Sequence, residues 1–179
     1  MLVVARRRLF LLPKLPLLAL LEPQTHSVLR VIQGSHQHVY RVVLAVDEYR
    51  QFIPFVEDSF INQRTNEGVP TEGGLRIGWQ QFEERFVCQL ECVPGQLVVA
   101  QLMTTALFDE LYTKWQFTPM GPHMTKVDLN LKYKFKNPMY NAVSLMFSDQ
   151  VTQIMIRAFE DRVKATPNPV AEGEANQQK

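Results

Sequence analysis

The stretch KVDLNLKYKFKNPMYNAVSLMFSDQVTQIMIRAFEDRVK, residues 126–164, holds the two elements that decide the fold. Over residues 126–136, Val127, Leu129, Leu131, Tyr133 and Phe135 alternate with Lys126, Asp128, Asn130, Lys132, Lys134 and Lys136. Successive side chains of a strand point to opposite faces. This period of two therefore predicts a strand with one covered and one wet face. Asn137-Pro138 breaks the pattern, with Pro138 near the first helical position, where its missing N–H costs nothing. A helix is predicted from there to about Lys164. At 100° per residue, Tyr140, Val143, Phe147, Val151, Ile154 and Ala158 share one stripe, expected to pack on the sheet. Leu145, Ile156, Phe159 and Val163 fall on roughly the opposite side, with Met139, Met146 and Met155 between. A helix apolar on more than one side must bury both sides or meet a membrane or partner. Membrane contact is the reading taken for Leu145, Ile156 and Phe159. Contact with the first helices, or a dimer interface, is the alternative.

Working back from residue 126, the same period recurs. Leu111, Thr113, Trp115 and Phe117 share a face, and Leu97–Thr104 reads as a strand. Phe86, Cys88, Leu90 and Cys92 alternate with Val87, Gln89 and Glu91. Leu75, Ile77 and Trp79 alternate with Arg76, Gly78 and Gln80. Phe60–Thr65 is another strand, and Asn66–Gly68, Pro94-Gly95 and Pro119–Pro122 are turn signals. Consecutive strands with short turns predict an antiparallel sheet with one covered face. Ahead of them, Thr25–Ile32 reads as a strand ended by Gly34. Ser35 looks like an N-cap for a helix carrying Val39, Val42, Val43 and Val46. Asp47 is expected to cap a second short turn, stopped by Pro54. One strand, two short helices, six to seven strands in all and a long last helix make an α+β chain. This is the order of the helix-grip fold, a sheet curved around one helix.

The bulk composition suits a single domain. With 179 residues, 46% hydrophobic and 21% charged, the chain is long enough for one real core. The formal net charge is +1, so no global field favours nucleic acid. Of 19 basic and 18 acidic residues, Arg6, Arg7, Arg8 and Lys14 against Glu22 lie in residues 1–22, leaving the rest at −2. Residues 1–21 are basic, leucine-rich and free of acid. Pro13, Lys14 and Pro16 break the apolar run, which excludes a membrane span. A clear small-residue cleavage site is missing, so a secretory signal fits less well than a mitochondrial presequence; a disordered tail is the plain alternative. The expected organisation is a targeting segment over 1–23, a domain over 24–165 and a polar, disordered tail over 166–179.

Catalytic constellations are missing from the sequence: no G-x-S-x-G elbow, P-loop or zinc spacing occurs. Cys88 and Cys92 sit four apart on one strand, so their Cα atoms lie roughly 13–14 Å apart. A disulfide spans less than about 7 Å, and both read as small core residues. His26, His36, His38 and His123 are scattered. Glu84 shares parity with Phe86 and Leu90 and is expected to face inward near a ligand head group; a solvated strand end or an ion pair is the alternative. Trp79 and Trp115 lie on apolar strand faces, where core packing and the lining of a lipid cavity are compatible. Lys126, Lys132, Lys134 and Lys136 form an outer basic stripe, either solvated or resting on anionic lipid.

The run Glu48-Tyr49-Arg50-Gln51-Phe52-Ile53-Pro54-Phe55 resembles the Y-R-x-F-x-P segment of the mitochondrial coenzyme Q-binding START-domain proteins. Leu75-Arg76-Ile77-Gly78-Trp79, Glu84-Arg85-Phe86, and Leu107-Phe108 with Leu111, Thr113, Trp115, Phe117 and Pro119 resemble its strands. Phe135-Lys136-Asn137-Pro138 through Met146-Phe147, then Ala158-Phe159-Glu160-Asp161-Arg162, resemble its closing helix. The likeness spans about residues 25–164. Gln80-Gln81-Phe82 departs from it, being polar where an apolar, proline-containing loop is expected. Bacterial relatives of the fold include a ribosome-associated toxin, so the fold alone does not fix the ligand. The resemblance implies a polyketide-cyclase-like START domain, peripheral on the matrix side of the inner mitochondrial membrane. It implies ubiquinone as bound ligand, support of respiration and quinone biosynthesis, and no catalytic turnover or catalytic cofactor. The quinone biosynthetic complex is a candidate partner; nucleic acid is not expected. Under this reading Trp79, Glu84, Phe86, Leu90, Met103, Trp115 and Phe117 from the strands line the cavity. Met146, Phe147, Ile154 and Met155 line it from the helix.

Overall fold

The computed structural model describes residues 22–79 and 82–166. The expected targeting segment and tail fall almost wholly outside these residues, as do Gln80 and Gln81. Seven strands form one sheet: β1 (Gln24–Gln33), β2 (Val56–Arg64), β3 (Pro70–Trp79), β4 (Phe82–Val93), β5 (Leu97–Thr104), β6 (Phe108–Pro119) and β7 (Met124–Phe135). Their order is β1-β7-β6-β5-β4-β3-β2, antiparallel throughout. From β2 to β7 every connection joins neighbours, as the turn signals predict. Register shifts interrupt β2–β3, β4–β5 and β6–β7, and such bulges bend a sheet.

Because β1 and β2 lie at opposite edges, the chain between them must cross the sheet's full width. Helix α1 (His36–Leu44) and a 3-10 helix (Val46–Gln51) make that crossing. Ser35 caps α1 as expected, its Oγ accepting the His38 N–H at 3.3 Å. Asp47 does not cap the second turn. Ala45 stands at that cap without a side-chain bond, and Asp47 pairs with Arg64 at 3.3 Å instead. Gly34 has φ +150, and a Cβ there would lie 3.0 Å from Val163 Cγ1. The glycine lets the end of helix α2 (Pro138–Ala165) sit against the β1–α1 junction. Buried His38 fastens that end: its Nε2–H donates to the Val163 carbonyl at 3.0 Å, which satisfies one of the carbonyls a helix end leaves open.

β7 keeps the predicted alternation, with Val127, Leu129, Leu131 and Tyr133 buried. Its outer basic stripe is partly neutralised: Lys132 pairs with Glu110 at 2.7 Å and Lys134 with Asp109 at 3.8 Å. Over residues 152–165 the two stripes of α2 are exchanged relative to expectation, while Tyr140 packs on Phe135 as the predicted inner stripe requires; the side chains of Val143, Phe147, Val151 and Leu145 lie outside the described residues. Ile156 and Phe159 are each only 2% exposed and Val163 is buried, whereas Ile154 is 41% exposed. The reason is local. From Ile156, steps of three and four reach Phe159 and Val163, while from Ile154 they reach Arg157 and Asp161, charges that hold that face in water. Phe159 meets Trp115, Tyr49 and Phe52 at ring distances of 4.7, 5.1 and 5.2 Å. This aromatic group ties α2 to the 3-10 helix and β6.

Two clusters share the concave side. The first joins α1, the C-terminal half of α2, β1 and the adjacent ends of β5, β6 and β7. The second lies on β3–β7 beyond it and takes Val46 from the 3-10 helix.

Candidate functional site

Strand register builds the site. Directly opposite residues share a face, so Leu75↔Phe86, Gly73↔Cys88 and Ile77↔Glu84 carry one face from β3 to β4. Cys88↔Leu102 and Leu90↔Ala100 carry it to β5. Ala100↔Thr113 reaches β6, and Leu111↔Tyr133 and Thr113↔Leu131 reach β7. The result is a continuous apolar floor. Phe86, Cys88, Leu90, Phe108, Leu131 and Tyr133 are buried in it, while Leu75, Ile77, Leu102, Leu107, Leu111 and Phe135 are only partly covered. Helix α2 leans on β1, β7 and α1, toward one side of this floor. Gly74 is dictated by the crowding: a Cβ there would stand 2.2 Å from the Phe86 carbonyl oxygen.

Polar groups mark both ends of the row Glu84–Phe86–Cys88–Leu90–Cys92. At roughly 3.4 Å per residue this row runs about 27 Å. At one end the Thr105 hydroxyl donates to Glu84 Oε1 at 2.6 Å. At the other, the Cys92 thiol contacts the Pro70 carbonyl at 3.6 Å, and the Tyr49 hydroxyl donates to the Val43 carbonyl. Burial pushes both thiols up from 9.0 to about 11, with the Glu91 carboxylate adding to the effect at Cys92. Burial also raises the Tyr49 phenol, with Cys92 as the second cause. The neutral thiols support the fold fully below pH 9, and this support is lost as pH rises toward 11. The urea midpoint should therefore fall across that window, and fall less in a Cys88→Ala/Cys92→Ala variant.

The expected site residues separate into groups. Phe86 and Leu90 lie in the floor, and Glu84 faces inward at its rim. Trp115 and Phe117 belong to the first cluster, packed on Phe159 and Tyr40. Met155 is half-buried against the same cluster. Met103 is 55% exposed on the convex side: its neighbour Leu102 faces inward opposite Cys88, so Met103 must face out. Ile156 and Phe159, expected at a membrane, are core residues. Ile154 instead lines an open groove of about 710 Å³ on the outer side of α2, with Phe52, Pro54, Arg157, Ala158 and Arg162. The side chains of Trp79, Leu145, Met146 and Phe147 lie outside the described residues. The expected list omitted Leu75, Ile77, Leu102, Leu111 and Phe135. Shared parity is a usable signal for Leu75 and Ile77 through Trp79, for Leu111 through Trp115 and Phe117, and for Phe135 through the alternation of β7; Leu102 needs strand register.

Fold and floor can now be set beside known proteins. The polyketide cyclase / dehydrase and lipid transport family matches residues 32–160. The chain belongs to that family. Among curated relatives, the mitochondrial coenzyme Q-binding protein COQ10 of Eremothecium gossypii is 42% identical over 147 residues, covering 78% of this chain and 72% of the relative. Its Saccharomyces cerevisiae counterpart is 35% identical over 145 residues, covering 78% and 70%. A START superfamily protein from Mycobacterium smegmatis superposes with a TM-score of 0.68 at 19% identity, over 79% of this chain and 97% of that one. The START-like fold anticipated from element order is thus the observed one. The family's name spans enzymes and lipid carriers, so the choice between them falls to the site. Among the described residues no helix is long and apolar enough to cross a membrane.

Proposed function

We propose that this protein binds coenzyme Q on the concave floor and acts as a non-catalytic carrier or chaperone for it. The observation that carries this reading is the partly covered apolar row of Leu75, Ile77, Leu102 and Leu111. Inward-facing residues of this kind gain by covering with an apolar tail, at about 0.8 kcal/mol per methylene. The names of the fungal relatives point to the same ligand. A carrier needs only to match the bilayer's affinity, because a tighter site would never release its cargo. Gln101, opposite Gln89, is exposed on the convex side. Among the described residues Glu84 and Thr105 meet at the rim while Thr113 and Tyr40 stand apart from them, a poor basis for acid–base turnover, which needs converging groups.

The basic, leucine-rich residues 1–21 support mitochondrial targeting, in keeping with the relatives' names. We place the protein on the matrix side of the inner membrane as a peripheral protein, serving respiration and quinone synthesis, with the quinone biosynthetic complex as a partner. Organic extraction of the purified protein followed by mass spectrometry should recover a quinone. The stripped protein should take quinone from loaded liposomes. Recovery of no quinone together with no uptake would reject the proposal.

A further inference from the structure

Glu84 is poorly suited to hold a quinone ring. A carboxylate only accepts hydrogen bonds, as does a quinone carbonyl, and the one hydroxyl proton bonded to Glu84, that of Thr105, is already engaged. A donor must be sought elsewhere along the floor.

Tyr40 supplies one. Its side chain lies in the first cluster at 6% exposure, and its hydroxyl is fully buried with no hydrogen-bond partner among the described residues. Such groups are rare because leaving one unpaired is costly. Two other tyrosines of the core differ: half-buried Tyr49 donates to the Val43 carbonyl, and buried Tyr133 donates to Gln24 Oε1 at 2.9 Å. The Tyr40 ring stands edge-on to Phe117 on β6 at 5.8 Å. Cys92, the last residue of the row that begins at Glu84, packs against the same cluster as Tyr40, at the deep end of that row. Burial and Cys92 both raise the phenol's pKa, so it keeps its proton and stays a donor. The Cys92 thiol is turned to Pro70.

We infer that the Tyr40 hydroxyl is the deep anchor for the ligand's ring, donating a hydrogen bond to a carbonyl oxygen, with the tail running along the β4 row toward Glu84. This rests on the quinone reading above and adds a donor and an orientation to it.

The full chain is titrated with decylubiquinone and with decylbenzene, which has the same tail length and no carbonyl. Tyr40→Phe should weaken decylubiquinone binding about 10-fold and change decylbenzene binding less than about 2-fold. The infrared carbonyl stretch of bound, carbonyl-labelled decylubiquinone should be lowered in the wild type and recover in Tyr40→Phe. The apo variant should melt no lower than the wild type, since it loses an unpartnered hydroxyl. A lower melting temperature would show the hydroxyl bonded within the fold and would overturn the inference. Equal quinone binding by both proteins would overturn it too, as would an unshifted carbonyl band in the wild type; both leave the quinone reading standing. Failure of the wild type to bind decylubiquinone would remove that reading and this inference together.

Discussion

Phe159→Ala should cost about 3–5 kcal/mol, the largest loss expected from any single truncation in the helix. Phe159 is 2% exposed and touches three aromatic rings from two other elements. Removing its ring leaves a void bordered by Trp115, Tyr49 and Phe52, side chains held by their own packing and unable to collapse freely. A domain's whole stability is only about 5–15 kcal/mol, so the variant should unfold at much lower urea. Ile154→Ala, five residues earlier on the other stripe, should change stability by about 0.5 kcal/mol or less, as a 41% exposed side chain does. Urea titration followed by tryptophan fluorescence compares the two. Equal losses would mean that the stripe assignment of α2 is wrong.

Leu102→Lys should abolish quinone loading, by at least about 100-fold, or roughly 2.7 kcal/mol. Leu102 lies inward opposite Cys88 and is only partly covered. Without ligand, the lysine stem can reach water, and the stability loss should stay near about 1 kcal/mol. With ligand, the tail would strip water from the ammonium group, which costs several kcal/mol unless it is paired. Met103→Lys makes the same chemical change one residue later. It points to the convex side and should leave quinone uptake unchanged. Uptake from quinone-loaded liposomes, assayed for both variants, reads the difference directly.

These contrasts show what a linear pattern reveals. β7 alternates strictly between apolar and charged residues, so its faces could be read by eye. β5 opens Leu97-Val98-Val99-Ala100, apolar on both faces, so its parity is not visible in the sequence and nothing there marks Met103 as outward-facing. Helix α2 carries apolar residues on two sides, and periodicity alone ranks neither. The charges at Arg157 and Asp161 were the deciding signal, since a stripe that carries them cannot lie in the core. Glu84 was legible as an inward carboxylate. That Thr105 occupies it was not, because the two lie 21 residues apart and meet only through the turn of the sheet. Tyr40 carries no signal in the sequence. Its unpaired hydroxyl belongs to packing, which no spacing encodes.

Photo-crosslinking with an azido-ubiquinone, followed by peptide mapping, tests the central claim most directly. Label is predicted on residues 82–93 and 97–104, the strands that form the concave floor. Label confined to residues 150–165, along the outer groove of α2, would contradict it.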